Sequence, residues 1–157
     1  DAIEVGFNYR MSEIHASIGL IQIKKIKKFI NLRKKNFNYF KKRIKSNNEI
    51  YILDSLSRKS KNSFYCINVI LSKTHAKKRM EIIKYLNSKK IGTSIYYPQP
   101  VPRMSFYKKK YGYNKNNFLN AEIVSDRSIS LPVGPHLSIK DMEYIVYNLL
   151  KFLKKLK

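Results

Sequence analysis

The hydrophobic positions of this chain fall into short runs with distinct periods. Between residues 12 and 44, Ile14, Ile18, Ile21, Ile26, Phe29, Ile30, Phe37, Phe40 and Ile44 recur at spacings near three and four, the period of one helix face. The pattern predicts a long amphipathic helix. Ser12 stands where its hydroxyl can accept a first-turn N–H, Glu13 puts negative charge at the positive helix end, and Ser46, Asn47 and Asn48 form a stop. Residues 50–53 and 63–71 are instead rich in β-branched and aromatic side chains, with a polar stretch over 55–62 between them. They predict two strands.

Thr74 is the expected cap of a helix running to about Lys89, with Met80, Ile83 and Leu86 on its buried side, and Gly92 leads into a short strand over 93–97. Pro98, Pro100 and Pro102 remove backbone donors at alternate positions, so an ordered loop rather than a sheet interior is expected there. Short helices over 105–111 and 117–127 follow, then a strand over 128–131 ended by Pro132. In the last helix Ser138 and Asp141 have capping-box spacing, and Met142, Ile145, Val146, Leu149 and Leu153 form one apolar stripe. With no internal repeat and no long linker, this order predicts one α+β domain. A long N-terminal helix precedes a small, mainly antiparallel sheet covered by helices.

Composition adds three constraints. A chain of 157 residues with 43% hydrophobic content can bury a real core. It opens on Asp1 rather than Met, and a motif-dense run begins at once, so it reads as a fragment. No apolar stretch approaches the roughly 20 residues that span a bilayer, and no signal-peptide pattern opens the chain, so a soluble, cytoplasmic protein without a membrane partner is expected. Cys66 is alone in an apolar run, which excludes a disulfide framework or cysteine-rich metal site and predicts a buried structural thiol. The net charge of +23 is the footprint of many nucleic-acid binders. Here the lysines are dispersed and accompanied by abundant Asn, Ile and Tyr, a mixture typical of AT-rich coding sequence. A solvated basic surface with no specific nucleic-acid partner is expected, with a polyanion-binding module as the alternative.

No phosphate-binding glycine loop, paired-histidine zinc motif or nucleophile elbow is present. His15, His75 and His136 lack ligand spacing, so no metal site is expected, and His136 in the loop Pro132-Val133-Gly134-Pro135-His136 reads as a surface or loop-packing residue. Gly6-Phe7-Asn8-Tyr9-Arg10 is different, because it puts an amide and a guanidinium directly ahead of a helix amino terminus. Such a place suits a phosphate. By spacing alone it suits equally a helix entry in which Asn8 turns the chain and Arg10 is solvated.

The run Gly6, Asn8, Arg10-Met11-Ser12-Glu13, Ala16, Ile18-Gly19-Leu20 and Gln22 resembles a segment of the DegT/DnrJ/StrS sugar aminotransferases. The resemblance continues in family order. Ile95-Tyr96-Tyr97-Pro98-Gln99-Pro100 is similar to the family's proline-bearing loop, and Phe106-Tyr107 with Lys110-Tyr111-Gly112-Tyr113 to the segment after it. Asn120-Ala121-Glu122, Ser130-Leu131-Pro132-Val133, Leu137-Ser138 and Asp141 are similar to its ending. The resemblance implies the small C-terminal domain of a fold-type I transferase dependent on pyridoxal 5'-phosphate (PLP). Residues 1–45 would hold the segment and helix that follow a large PLP domain. It implies a homodimer with a cross-subunit active site that moves an amino group from glutamate or glutamine to a nucleotide-linked keto sugar for polysaccharide biosynthesis. Asn8 would then reach the PLP phosphate of the neighbouring subunit, and Arg10 would either join it there or stabilise the fold of its own segment. Tyr96 and Arg103 would lie toward the sugar substrate, Arg103 at a diphosphate or else in solvent. Family members commonly carry histidines where this chain has Tyr96 and Pro102, so the substrates of better-known members do not carry over. The lysine that anchors PLP has no matching setting here, so no catalytic residue is expected and the chain alone should be inactive. A PLP-dependent sugar dehydratase of the same family is the alternative enzyme, and a truncated, inactive gene product is a further one.

Overall fold

The computed structural model describes residues 4–54, 59–114 and 117–156. Part of the polar stretch expected over 55–62 therefore lies outside the described residues. Helix α1 spans Glu13–Ile44, and Ser12 caps it by accepting the His15 N–H. Strands β1 (Ile50–Ile52), β2 (Ile67–Leu71) and β3 (Ser128–Leu131) form one antiparallel sheet in that order. Between β2 and β3 come α2 (Lys73–Ala76), α3 (Arg79–Ser88), a 3-10 turn at Val101–Arg103, α4 (Ser105–Tyr111) and α5 (Leu119–Arg127). Helix α6 (Ile139–Lys155) closes the chain.

The register sets Ile50 opposite Leu71, Ile52 opposite Val69, and Ile67 and Val69 opposite Leu131 and Ile129. Alternation then turns these side chains to one face. That face meets Phe37, Phe40 and Ile44 of α1, Ile82, Ile83 and Leu86 of α3, and the whole predicted stripe of α6. Helix α5 lies against β2 and β3. The capping box of α6 is complete: Asp141 N–H donates to Ser138 Oγ, and Asp141 accepts from Ser138 N–H. Asn36, buried in α1, donates to the carbonyls of Gly134 at 3.2 Å and Leu137 at 3.0 Å, fixing the loop ahead of α6.

Four expectations need correction. The helix expected from Thr74 is two helices, the first capped by Ser72 and the second starting after an interruption at Lys77 and Lys78. Its buried side is Ile82, Ile83 and Leu86, while Met80 is exposed, because at about 100° per residue Met80 stands roughly 200° from Ile82. The strand expected over 63–71 starts only at Ile67, since Asn62 Oδ1 accepts the Phe64 N–H at 2.7 Å and Phe64 takes φ +50°. The strand expected over 93–97 is a single pairing of Ser94 with Ser130. It ends because Tyr97 turns to φ +58° and Pro98 has no N–H to donate.

Helix α1 is also unlike its own pattern. Only its last turns are buried, whereas Ile14, Ile18, Ile21 and Ile26 of the same stripe are exposed.

Candidate functional site

The residues singled out in the sequence lie on two separate stretches. Residues 5–12 run outside regular structure into the start of α1. Asn8 Oδ1 accepts the Arg10 N–H at 3.1 Å, a local turn that orients the amide. Among the described residues, neither Asn8 Nδ2 nor the Arg10 guanidinium has a protein partner. Ser12 Oγ holds the first turn through the His15 N–H and also meets His15 Nδ1 at 2.9 Å. Two amide protons, a guanidinium and the positive end of a 32-residue helix are donors for an anion, so this set fits a phosphate. A Cβ at Gly6 would meet nothing within 4 Å, and Val5, Phe7, Tyr9 and Met11 are exposed.

The second stretch is the proline loop after α3. Tyr96 is 40% exposed, and its ring lies 6.3 Å from that of Tyr65. The Tyr65 hydroxyl, by hydrogen bonding, is the main cause that holds the Tyr96 phenol above its ordinary value. Cys66, Asn68 and Ser128 line the same concavity of about 540 Å³. Cys66 is half-buried there rather than buried, because the turn at Phe64 leaves it just outside the strand. Burial still pushes its thiol up, against the opposing hydrogen bond of Asn68. Asn68 Oδ1 in turn accepts from Ser130 Oγ.

Arg103 was expected at a diphosphate or in solvent, and the structure places it in an ion-pair cluster. Its two terminal nitrogens grip Asp126 at 2.7 and 2.8 Å, and one also meets Glu122 at 3.0 Å. This fork-on-carboxylate geometry holds the Asp126 carboxyl below its usual range and the guanidinium above its own. Glu122 and Asp126 stand one turn apart on α5, and that i, i+4 spacing was the available signal for the cluster. The same helix holds the other end of the loop, where Ser125 Oγ donates to the Tyr97 carbonyl at 2.6 Å.

His75 was not expected to matter and is 3% exposed. Nδ1 lies 2.9 Å from Glu49 Oε2 and Nε2 3.2 Å from the Leu153 carbonyl, so the ring ties α2 to the end of α6. Its neighbours are structural. His136 is exposed over Gly134, where an added Cβ would run into its ring. Among the described residues no cluster of three or more His, Cys, Asp or Glu is placed to hold a metal, and no lysine is buried. Tyr96 and Arg103 share one loop. No hydrogen bond, ion pair or ring contact among the described residues joins that loop to Asn8 or Arg10.

Residues 5–12 thus lead into α1, which with α3 and α6 backs a three-stranded antiparallel sheet. The model of the DegT/DnrJ/EryC1/StrS aminotransferase family matches residues 1–150, and the chain belongs to that family. It is 34% identical over 151 residues to the GDP-perosamine synthase of Escherichia coli O157:H7, covering 94% of this chain and 38% of that protein. Helicobacter pylori PseC, an aminotransferase involved in the biosynthesis of pseudoaminic acid, superposes with a TM-score of 0.86 at 22% identity. The match covers 99% of this chain and 41% of PseC. The Escherichia coli GDP-4-keto-6-deoxy-D-mannose-3-dehydratase, solved with bound hydrated PLP, superposes with a TM-score of 0.78 at 23% identity, covering 92% of this chain and 36% of the dehydratase. Among the first curated relatives that it matches, the chain spans 32% to 41% of their length.

Proposed function

We propose that this chain is the carboxy-terminal small domain of a PLP-dependent aminotransferase that acts on a nucleotide-linked keto sugar, with glutamate or glutamine as amino donor. Asn8 carries the reading. Its Oδ1 accepts the Arg10 N–H, its Nδ2 has no protein partner among the described residues, and it stands ahead of the amino terminus of α1. PLP, when bound, supplies the electron sink that lets an amino group pass between an amino acid and a keto sugar. In this reading Asn8 Nδ2 donates to its phosphate, and Arg10 balances the phosphate charge. In this reading the site is shared between two subunits of a cytoplasmic homodimer and Asn8 serves the neighbour, since among the described residues no hydrogen bond, ion pair or ring contact joins Asn8 to the proline loop of its own chain. No described helix is long and apolar enough to cross a membrane.

The substrate side is the proline loop. Tyr96 hydrogen-bonds a sugar hydroxyl in place of the family's histidine. Arg103 acts by anchoring the loop to α5, since Asp126 and Glu122 already neutralise it. In this reading the lysine that holds PLP covalently lies outside these 157 residues, in keeping with the exposed or half-buried setting of the described lysines. The chain alone then retains no PLP on dialysis.

Asn8→Ala in the full protein that carries this chain tests the reading. PLP affinity should fall by about tenfold, the scale of one charge-assisted hydrogen bond, with the melting temperature of the cofactor-free protein unchanged because Asn8 is exposed. Unchanged PLP affinity would refute the assignment of Asn8. The dehydratase among the solved structures favours a second reading, removal of a sugar hydroxyl. Product analysis with glutamate and a GDP-linked 4-keto-6-deoxy sugar separates an amino sugar from a deoxy sugar.

A further inference from the structure

Tyr97 occupies a conformation that its residue type disfavours. Its φ is +58°, in the left-handed region where the Cβ of a bulky residue is crowded and glycine or asparagine is usual. It also precedes Pro98, and a following proline pushes a residue toward extended backbone. The fold returns nothing visible for this strain through the ring, which is 75% exposed and has no hydrogen bond or ring partner among the described residues. What holds the conformation is the backbone. The Tyr97 carbonyl accepts from Ser125 Oγ at 2.6 Å, and Ser125 is 4% exposed. Arg79 Nη1 donates to the Ser125 carbonyl at 2.7 Å, fixing that end of α5, while Arg103 grips Asp126 and Glu122 on the same helix. The loop is therefore clamped on both sides of the proline run.

The clamped ring stands where two concavities adjoin. One, of about 620 Å³, is walled by Pro100, Val101, Pro102 and Phe118. The other, of about 540 Å³, offers Tyr65, Asn68 and Ser128. Tyr96, Tyr97 and Val124 line both. A wall of ring and proline carbon beside a rim of hydroxyl and amide groups matches an amphipathic ligand with a C–H face and a hydroxyl edge. A pyranose ring has those two sides. Strain kept at an exposed residue of a cleft is itself a pointer to ligand binding.

We propose that Tyr97 is a specificity-determining residue whose ring forms the wall for the C–H face of the sugar in the nucleotide-linked substrate, and that Ser125 positions it by holding the Tyr97 carbonyl. This assignment rests on the nucleotide-sugar reading above. The test uses the full protein that carries this chain, loaded with PLP, and two readouts for Tyr97→Gly and Tyr97→Phe. The first is the melting temperature. The second is calorimetric affinity for UDP-, GDP- and dTDP-linked 4-amino-4,6-dideoxyhexoses, with the free nucleoside diphosphates as comparison.

Glycine relieves the left-handed strain, so Tyr97→Gly should melt at the same temperature as the wild type or higher. Its affinity for the preferred nucleotide sugar should fall by about tenfold, the value of a lost aromatic face, with affinity for the nucleoside diphosphate unchanged. Tyr97→Phe should behave as wild type in both measurements. A lower melting temperature for Tyr97→Gly, or undiminished sugar affinity, overturns the assignment and makes Tyr97 a turn residue only. An equal loss for the free nucleoside diphosphate also overturns it, since the ring would then face the base. Failure of the wild type to bind any of the probes overturns the nucleotide-sugar reading itself, and this assignment with it.

Discussion

Asp126 and Asp141 are two carboxylates that the fold holds below their ordinary range. Arg103 holds the Asp126 carboxyl below its ordinary value, chiefly by hydrogen bonding, and the Ser138 hydroxyl and N–H do the same for Asp141. Since the folded values are depressed, the unfolded chain binds protons at a pH where the folded chain does not. The stability from both groups is thus fully present above the ordinary aspartate value and lost as pH falls through the folded values. Thermal melts between pH 6 and 2.5 should show the loss setting in below about pH 4. Asp126→Asn should flatten that acid slope, and an unaltered slope would show that the Arg103 fork contributes nothing to folding. Both carboxylates are largely exposed, so the expected effect is a change of slope and not a collapse.

Helix α1 has two energetic halves. Phe37, Phe40 and Ile44 are sealed against the sheet and α6, and Asn36 is locked to the Gly134 and Leu137 carbonyls. Toward the start, Ile14, Ile18, Ile21 and Ile26 continue the same stripe into solvent, 48% to 73% exposed. An amphipathic helix gains most of its stability from packing, so the first half of α1 should be the weaker half. Hydrogen exchange on this chain should find amides before about residue 30 exchanging well ahead of those at 36–44. Replacing Ile14, Ile18 and Ile21 together by lysine or glutamate should raise solubility and leave the melting temperature within about 2 °C, as expected for surface substitutions. A cooperative loss of the whole fold would show that this half is already packed on something in solution.

For the molecule as a whole, the net charge of +23 is the property most open to a rival account. The described lysines are exposed or half-buried, most with no anionic partner to match them, and they are spread over helices α1, α3, α4 and α6. Such a surface binds polyanions through counterion release, with a steep salt dependence and no sequence preference. Retention on immobilised nucleic acid should therefore be measurable in about 50 mM salt and gone near 0.15 M, where charges are screened over roughly 8 Å. Tight binding that survives physiological salt would favour a polyanion-binding module over the aminotransferase reading.

Local spacing in the chain was enough to place α1, α6 and β3, because each is decided by its own pattern and a side-chain cap or a stop: Ser12, the Ser138–Asp141 pair and Pro132. The ordered motifs from Gly6 onward were enough for the family, which the match over residues 1–150 then showed. Other features run against residue preference or depend on partners distant in sequence, which no periodicity encodes. Phe64 and Tyr97 take left-handed backbone and cut two expected strands short. His75 is buried because Glu49 and the Leu153 carbonyl, 26 and 78 residues away along the chain, converge on its ring. Arg103 finds its carboxylates 19 and 23 residues further on, so a side chain that reads as free in the sequence is neutralised in the fold. The exposed half of α1 shows the converse: its stripe was legible in the sequence, but burial requires a second surface, and only the tertiary structure shows which turns have one.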